Sequence, residues 1–169
     1  MIKVNYKRSL FNFINRFLPL TRLFNFKRFL ANICGIKVDK KTSICSNTKF
    51  IGTGNIEIGK NCWIGTGTTF IASENIFIGD NVAIAPFSLL ICGSHDVGEK
   101  YMRAGRSKSN PIIVEKGCWI CAKSTILGGV HLKKGSIIAA GSTVLPNKIY
   151  KPNSLYAGVP AIYKKKLKS

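Results

Sequence analysis

The sequence predicts an all-β fold, a three-sided parallel β-solenoid, from one period that runs through more than half of the chain. Towards the C-terminal end a bulky apolar residue occupies every sixth position, namely Val114, Ile120, Ile126, Leu132, Ile138, Val144 and Tyr150. A helix has an apolar period of about 3.6 and a half-buried strand a period of about 2, so a sustained period of six fits neither. It indicates a chain that makes a short strand, turns, and returns to the axis of a coil.

The same period extends towards the N-terminus with resets of two residues, which predicts early coils of about twenty residues and later coils of about eighteen. The earlier inward positions are Val38, Ile44, Phe50, Ile56, Ile58, Ile64, Phe70, Ile76, Ile78, Ile84 and Leu90. Small residues such as Cys62, Cys118 and Ser124 follow at the corners. Gly59 and Gly79 directly follow inward isoleucines, where we expect a turn to need a permissive backbone.

Residues 1–36 are predicted to be a basic, amphipathic helical cap. Apolar residues recur at spacings of three and four in two runs broken at Pro19, and Gly35 is expected to end the second helix. The runs comprise Leu10, Phe13, Ile14, Phe17 and Leu18, then Leu23, Phe26, Phe29, Leu30 and Ile33, interspersed with Lys7, Arg8, Arg16, Arg22, Lys27 and Arg28. Two interpretations compete: a cap over the open end of the solenoid, and peripheral contact of residues 1–30 with the inner membrane.

The period fails between residues 93 and 110, where the chain is polar and punctuated by glycine. This predicts a loop extruded from the solenoid of residues 37–150. Residues 151–169 are predicted to form a turn followed by a basic tail with a short C-terminal helix. No apolar run approaches the ~20 residues of a membrane span, and no cleavable signal peptide is evident, so we expect a cytoplasmic protein.

The charge of the chain is large and unevenly placed. The net charge is +19, and all seven acidic residues lie between Asp39 and Glu115. Purely basic ends suit an anionic membrane surface or a polyphosphorylated ligand, whereas no nucleic-acid recognition motif is present. Cys118 and Cys121 form a C-x-x-C pair. A zinc site usually has a second such pair, and a thioredoxin-like redox site lies in a βαβ unit; the sequence shows neither, so we predict no metal.

Several segments resemble the hexapeptide-repeat acyltransferases, and in particular their sugar and xenobiotic O-acetyltransferase branch, which includes maltose, serine and capsule acetyltransferases. The resemblance spans roughly residues 38–161. The segments that carry it are Pro111-Ile112, Cys118-Trp119-Ile120, Gly128-Gly129-Val130, Ala139-Ala140-Gly141-Ser142 and Ala157-Gly158-Val159-Pro160-Ala161. The resemblance implies a left-handed β-helix, a homotrimer with active sites between subunits, and acetyl-coenzyme A (acetyl-CoA) as the co-substrate.

His95 stands where the extruded loop leaves the coil. In the family that this chain resembles, a histidine at that place is the general base, and an imidazole suits the role because it can accept a proton at neutral pH. We expect Asp96, Tyr101 and Arg103 on the same loop to contact the acceptor. His131 adjoins inward Leu132 in an unbroken coil, so it is predicted to point outward into solvent.

The resemblance also implies a cofactor groove. The pantetheine arm of acetyl-CoA would contact the backbone at Ala122 and Ala140, beside Ser142. Trp119 would form one side of the acyl pocket. Lys151, Lys164 and Lys165 would hold the adenosine phosphates. Corner packing for the alanines, core or subunit packing for Trp119, and solvated charges for the lysines are the alternative interpretations.

These features predict an acetyl-CoA-dependent O-acetyltransferase that acts on a sugar or lipid-linked oligosaccharide in surface polysaccharide, capsule or O-antigen synthesis. The chain departs from its relatives at Gly65, where an ungapped count expects an acceptor-binding asparagine, and at Leu145-Pro146, where a threonine-lysine pair is common. Acetylation of a nucleotide-linked amino sugar or a xenobiotic is the alternative within enzymes. A non-catalytic, membrane-associated scaffold is the alternative outside them.

Overall fold

Two helices precede a stack of short strands in the computed structural model of the protein, which describes residues 2–168, with side chains from residue 6 onward. The helices are α1 (Ile2–Phe17) and α2 (Phe24–Ile33). The strands are β1 (Ile36–Val38), β2 (Ser43–Ile44), β3 (Lys49–Ile51), β4 (Ile56–Ile58), β5 (Trp63–Ile64), β6 (Thr69–Ile71), β7 (Ile76–Ile78), β8 (Ala83–Ile84), β9 (Leu89–Ile91), β10 (Gly93–Val97), β11 (Ala104–Ser109), β12 (Ile112–Val114), β13 (Trp119–Ile120), β14 (Thr125–Leu127), β15 (His131–Leu132), β16 (Ile137–Ile138), β17 (Thr143–Val144), β18 (Ser154–Ala157) and β19 (Ile162–Lys166).

Parallel sheets form the three faces of a prism, as the hexad period predicts. The first face is β1-β4-β7-β12-β15, the second is β2-β5-β8-β13-β16-β18, and the third is β3-β6-β9-β14-β17. We call the edge between the first and second faces the first corner, that between the second and third faces the second corner, and that between the third and first faces the third corner. Ile36 pairs with Ile56, whereas Trp119 pairs with Ile137, so the coil shortens from 20 to 18 residues as predicted.

The interior of the prism is a set of stacked apolar columns. All of the predicted inward residues from Val38 to Tyr150 are buried, and Ile120, Ile126 and Leu132 are fully so. The rings of Phe50 and Phe70 stack with their centroids 5.1 Å apart. A sixth residue therefore returns to the axis on every face, and the prediction of the solenoid is confirmed.

Small corner residues tie neighbouring coils together through hydrogen bonds. Ser124 Oγ donates to the carbonyl oxygen of Ala139 at 3.0 Å, and Cys118 Sγ donates to that of Lys133 at 3.2 Å. Burial raises the pKa of the Cys118 thiol to about 11. This thiol is therefore protonated at neutral pH and serves as a packing group, as predicted for the corner positions.

The glycines that follow inward isoleucines are needed for a different reason from the one predicted. Gly59 and Gly79 do not adopt positive φ. A Cβ on Gly79 would lie 2.7 Å from the backbone nitrogen of Lys116 in the next coil. The left-handed conformation is adopted instead within turns at other positions, as at Asn61 and Gly117. Glycine at positions 59 and 79 thus permits close stacking of coils and does not supply a left-handed turn.

Helices α1 and α2 close the open end of the solenoid, so the cap is present. The amide of Asn12 both donates to the carbonyl oxygen of Phe50 and accepts from its N–H, each at 2.9 Å, and thus continues the ladder of β3. Arg8 donates to the carbonyls of Gly52 and Gly54. Gly35 follows α2 with φ of +83°, which confirms it as the stop.

The face of α1 that packs is not the apolar face seen in the sequence. Arg8, Phe11 and Asn15 are buried against the first coil, whereas Phe13 and Phe17 are exposed. The first coil has no preceding coil to pair with its backbone groups, and an unpaired buried carbonyl is costly. Polar side chains on the helix meet this need, and the apolar stripe is left facing outward.

The C-terminal tail is a strand and not the short helix predicted. Strand β19 pairs antiparallel with β18, with Ser154 opposite Lys166 and Ala157 opposite Ile162. No coil follows β18, so one edge of that strand would otherwise lack backbone partners. Pairing with this edge outweighs the helical propensity of the lysine-rich tail.

Candidate active site

The extruded segment is an antiparallel hairpin that projects from the third corner. Strands β10 and β11 pair Gly93 with Ser109 and His95 with Ser107, and the register shifts between His95 and Val97. Ser109 Oγ donates to Ser73 Oγ of the preceding coil at 2.9 Å, which anchors the hairpin to the solenoid. His95 is therefore held on a regular β-structure where a loop was predicted.

The His95 imidazole has a defined orientation. Its Nδ1 lies 3.0 Å from the carbonyl oxygen of Gly105 on the opposite strand. Because a carbonyl oxygen only accepts, Nδ1 must carry the proton of this bond. The other ring nitrogen, Nε2, is then the acceptor in the neutral imidazole, which is the state that a general base requires.

A cleft of ≈ 400 Å³ opens beside this imidazole. Its lining includes Ser73, Ser94, Ser107 and Ser109, together with Lys108 and the apolar Ile91. Hydroxyl groups both donate and accept hydrogen bonds, so such walls suit a ligand that carries several hydroxyls. The sequence reasoning did not single out these serines.

The predicted acceptor contacts are spread along the hairpin. Asp96 forms an ion pair with Lys108 at 2.7 Å across the two strands of the hairpin. Tyr101 and Arg103 lie at the exposed tip, where Gly98 N–H donates to the Arg103 carbonyl oxygen at 3.0 Å. The residues that line the cleft beside His95 do not include Asp96, Tyr101 or Arg103.

Ala122 and Ala140 occupy equivalent positions at the second corner, in successive coils. Gly141 N–H donates to the Ala122 carbonyl oxygen at 2.9 Å, which places Ala140 directly after Ala122 in the stack. Within residues 2–168, the amide N–H groups of these two alanines donate to no acceptor. The second corner thus presents two free donors one coil apart, or about 4.8 Å, beside side chains small enough to let a ligand reach them.

The structure does not bring His95 and these alanines together within one chain. His95 projects from the third corner, and Ala122 and Ala140 lie on the second, so the whole third face separates them. The His95 cleft contains no residue of the second corner. One copy of the chain therefore carries two half-sites on different edges of the prism.

The remaining predicted cofactor contacts divide into three groups. Trp119 lies on the second face with half of its surface exposed, so it is free to wall a groove. Lys151 and Lys166 line a cleft of ≈ 630 Å³ at the far end of the solenoid. The predicted Lys164 and Lys165 do not line this cleft. Ser142 is buried, and its hydroxyl accepts a hydrogen bond from Gly158 N–H at 3.0 Å.

Ser142 is therefore a correction to the predicted site. Its side chain is on the inside of the coil, where it satisfies a backbone donor of the last turn. We assign it to the solenoid and leave it out of the candidate cofactor groove.

His131 is not simply solvated, as the sequence suggested. Its Nε2 lies 2.7 Å from Glu115 Oε1, and Lys133 donates to the same oxygen at 3.0 Å. The hydrogen bond from Lys133 is the main reason why the pKa of Glu115 falls from 4.5 to about 2, with smaller contributions from the Lys134 N–H and His131. Of the two histidines, only His95 leaves a ring nitrogen facing an open cleft.

We expect the Glu115 cluster to make stability depend on acid pH. A carboxyl with a lowered pKa in the folded state stabilises the fold above its unfolded pKa, and this contribution is lost as pH falls from about 4.5 towards about 2. The free energy of unfolding of the wild-type chain should therefore drop more steeply across this range than that of the Glu115→Gln variant. Urea unfolding at neutral and acid pH measures the difference, and parallel pH dependences for the two proteins would contradict the assignment.

No group of three or more His, Cys, Asp and Glu side chains suited to a metal ion occurs in the part of the chain that the structure describes. Neither described helix has the length and apolar content of a membrane span.

Comparison with known proteins identifies the fold. A sequence profile of the hexapeptide repeat of succinyl-transferase matches residues 111–146. Galactoside acetyltransferase in complex with coenzyme A superposes with a TM-score of 0.75 at 24% identity, covering 98% of this chain and 82% of that one. The protein has the left-handed β-helix fold of the hexapeptide-repeat acetyltransferases. The predicted handedness, which rested on resemblance alone, agrees with this result.

Two further solved structures share the fold over almost the whole chain. Maltose O-acetyltransferase from Clostridium difficile has a TM-score of 0.74 at 20% identity and covers 99% of this chain and 88% of its own. A hexapeptide-repeat acetyltransferase from Vibrio cholerae in complex with acetyl-CoA has a TM-score of 0.74 at 22% identity, covering 98% of this chain and 88% of that one. No curated protein sequence matches the chain significantly.

Proposed function

We propose that the protein is an acetyl-CoA-dependent O-acetyltransferase of a sugar hydroxyl, with His95 as the general base. The observation that carries the proposal is the bond from His95 Nδ1 to the Gly105 carbonyl oxygen, because it leaves Nε2 free to accept a proton beside an open cleft whose lining includes four serines. Solved structures with this fold include acetyltransferases of galactoside and maltose.

The residues of the second corner fit the co-substrate. The free N–H of Ala140 can bond to an amide carbonyl of a pantetheine arm, and the methyl side chains of Ala122 and Ala140 leave the arm room. Lys151 and Lys166 line a cleft at the far end of the solenoid, and their positive charge suits the nucleotide phosphates. When bound, acetyl-CoA supplies an activated acyl carbonyl.

His95 would move one proton in each half of the reaction. Its Nε2 accepts the proton of the acceptor hydroxyl as that oxygen attacks the acyl carbon, and the Gly105 carbonyl oxygen stabilises the imidazolium through Nδ1–H. A free N–H at the second corner can stabilise the developing oxyanion, with Ala122 as the candidate. The imidazolium then returns its proton to the departing thiolate, so that His95 ends neutral and no acyl-enzyme forms.

The two half-sites require a second chain. We propose that the third corner of one chain meets the second corner of a neighbour, and that a closed ring of three copies makes three such sites. A heterologous contact of this kind closes only if its rotation completes a ring, and a three-sided prism suits three-fold closure. The galactoside and maltose acetyltransferases share this prism over the length of the chain.

The acceptor is proposed to be a sugar or lipid-linked oligosaccharide of surface polysaccharide, capsule or O-antigen synthesis, acetylated in the cytoplasm at the inner face of the membrane. The serine-lined walls around His95 support a polyhydroxylated acceptor. The absence of acidic residues from both ends of the chain supports work near an anionic surface.

An acceptor screen that follows release of the coenzyme A thiol tests the function. We expect release to depend on a sugar acceptor, with detergent-solubilised lipid-linked sugars and free sugars compared side by side and the product hydroxyl identified by mass spectrometry. Amino sugars and aryl amines in the same panel report an N-acetyltransferase. A protein that shows no heat of binding with acetyl-CoA by calorimetry would instead be a scaffold, and the proposal would fail.

A further inference from the structure

One side of α1 carries a stripe of large apolar side chains that face away from the solenoid. Tyr6, Leu10, Phe13 and Phe17 are all exposed, Phe13 by 66% and Phe17 by 71%. Their spacings of four, three and four residues place them on one helical face. The rings of Phe13 and Phe17 lie 5.4 Å apart edge to face, so the stripe is continuous at its C-terminal end.

The connection and α2 repeat this arrangement. Leu20 and Leu23 are exposed between the helices, and Phe26, Phe29 and Ile33 are exposed along α2 at spacings of three and four, Phe29 by 62%. We call the exposed apolar residues from Tyr6 to Ile33 the outer helical face. Exposed apolar side chains in this number are uncommon on a protein that has no partner for them.

The outer helical face does not hold the cap on the solenoid, because the opposite side of the two helices makes those contacts. Arg8, Asn12 and Asn15 bond to the backbone of the first coil, and Lys27 donates to the carbonyl oxygen of Pro19 at 2.6 Å. These polar contacts satisfy the open end of the solenoid. The phenylalanines on the outer side contribute nothing to that closure.

Positive charge accompanies the outer helical face. Lys7, Arg16 and Arg22 are exposed on the same helices and connection, and no acidic residue precedes Asp39. In a contact between two such faces, cations would be brought close to cations, which is unfavourable. An anionic surface with an apolar interior complements both the charge and the apolar stripes.

We propose that the outer helical face of α1 and α2 binds the surface of a bilayer that contains anionic lipid. The phenylalanines enter the boundary between headgroups and acyl chains, and the cations contact lipid phosphates. If the proposed function holds, this docking also places the acceptor site, since the hairpin of His95 leaves the third coil, roughly 10 Å from the capped end at the usual spacing of strands. Docking itself does not depend on catalysis.

Vesicle flotation tests the proposal with the full-length protein. We expect it to float with vesicles of phosphatidylglycerol mixed with phosphatidylcholine and to bind phosphatidylcholine alone far less. The double variant Phe13→Ser with Phe17→Ser should lower the partition coefficient at least about tenfold, given the usual value of burying two aromatic side chains. Phe77→Ser removes an exposed phenylalanine from the first face and should bind as the wild type does.

A second pair of variants separates charge from apolar contact. Arg16→Gln with Arg22→Gln should weaken binding to anionic vesicles and reduce its salt dependence, whereas Lys100→Gln with Lys116→Gln, which removes two exposed cations elsewhere, should not. Unchanged binding of the Phe13/Phe17 variant, or no flotation of the wild type with anionic vesicles, would overturn the proposal. If the wild type does not bind vesicles and the Phe13/Phe17 variant changes its oligomeric state, the proposal is also overturned. The outer helical face would then be an interface between copies. Acetyl transfer to a free sugar reports the proposed function separately, because it needs no membrane.

Discussion

Replacing His95 by alanine is expected to lower kcat for acetyl transfer by at least about a hundredfold, the usual value of a general base. The protein should remain folded, because the imidazole is exposed on the hairpin and bonds only to the Gly105 carbonyl oxygen. Circular dichroism and thermal unfolding verify the fold, and thiol release under saturating acetyl-CoA and acceptor measures kcat.

Two matched variants make the His95 result specific. His95→Asn retains an N–H donor able to reach the Gly105 carbonyl oxygen but has no basic nitrogen, so it should lose as much turnover as alanine does. His131→Ala removes the other histidine, which is bound to Glu115 on the first face, and should leave kcat near that of the wild type. Turnover of His95→Ala equal to that of the wild type would contradict the proposed base.

The second large effect is expected from filling the groove at the second corner. Ala140→Trp places a bulky side chain beside the free N–H groups of Ala122 and Ala140, and should weaken acetyl-CoA binding at least about tenfold, or ~1.4 kcal/mol. Ala140 is exposed, so the substitution should cost little stability. Titration calorimetry measures the affinity.

The control for this variant is Lys116→Trp, which adds the same side chain at the exposed first corner. It should leave acetyl-CoA binding unchanged. Equal affinities for the wild type and Ala140→Trp would show that the ligand does not pass the second corner.

The solenoid could be predicted in detail because its signal is repetitive. Each inward residue, such as Ile126, repeats the environment of the residue one coil away, so a single rule fixes the burial of the whole column. The same rule located the hairpin by failing between residues 93 and 110, since a segment that cannot stack must leave the coil. The position of His95 at that break followed directly.

The errors arose where the repeat ends. At the N-terminus the free backbone of the first coil selects Arg8 and Asn12 for the inner side of α1, and apolar periodicity alone could not indicate this. At the C-terminus the free edge of β18 draws the tail into β19, although lysine-rich segments favour helix. In both places the structure is decided by unpaired backbone groups of a neighbouring coil, which the local sequence does not reveal.

The site was predicted less completely than the fold. His95, Ala122 and Ala140 were identified through resemblance, yet nothing in the linear sequence places His95 on a different edge of the prism from the two alanines. The serines around His95 lie in one coil and in both hairpin strands, and no spacing in the sequence connects Ser73 with Ser109. Ser142 matched the motif, yet it is a buried corner residue like Ser124 and Ser136, and its hydroxyl accepts from Gly158 N–H.

Mixed assemblies of two impaired chains test the central claim most directly. At an acetyl-CoA concentration well below the dissociation constant of Ala140→Trp, each variant purified alone should turn over at about a tenth of the wild-type rate or less. We expect co-expressed His95→Ala and Ala140→Trp chains, purified together through different affinity tags, to be clearly more active, because one interface in the mixed assembly joins an intact His95 to an intact second corner. Mixed assemblies no more active than the two variants alone would show that the two half-sites do not meet between chains.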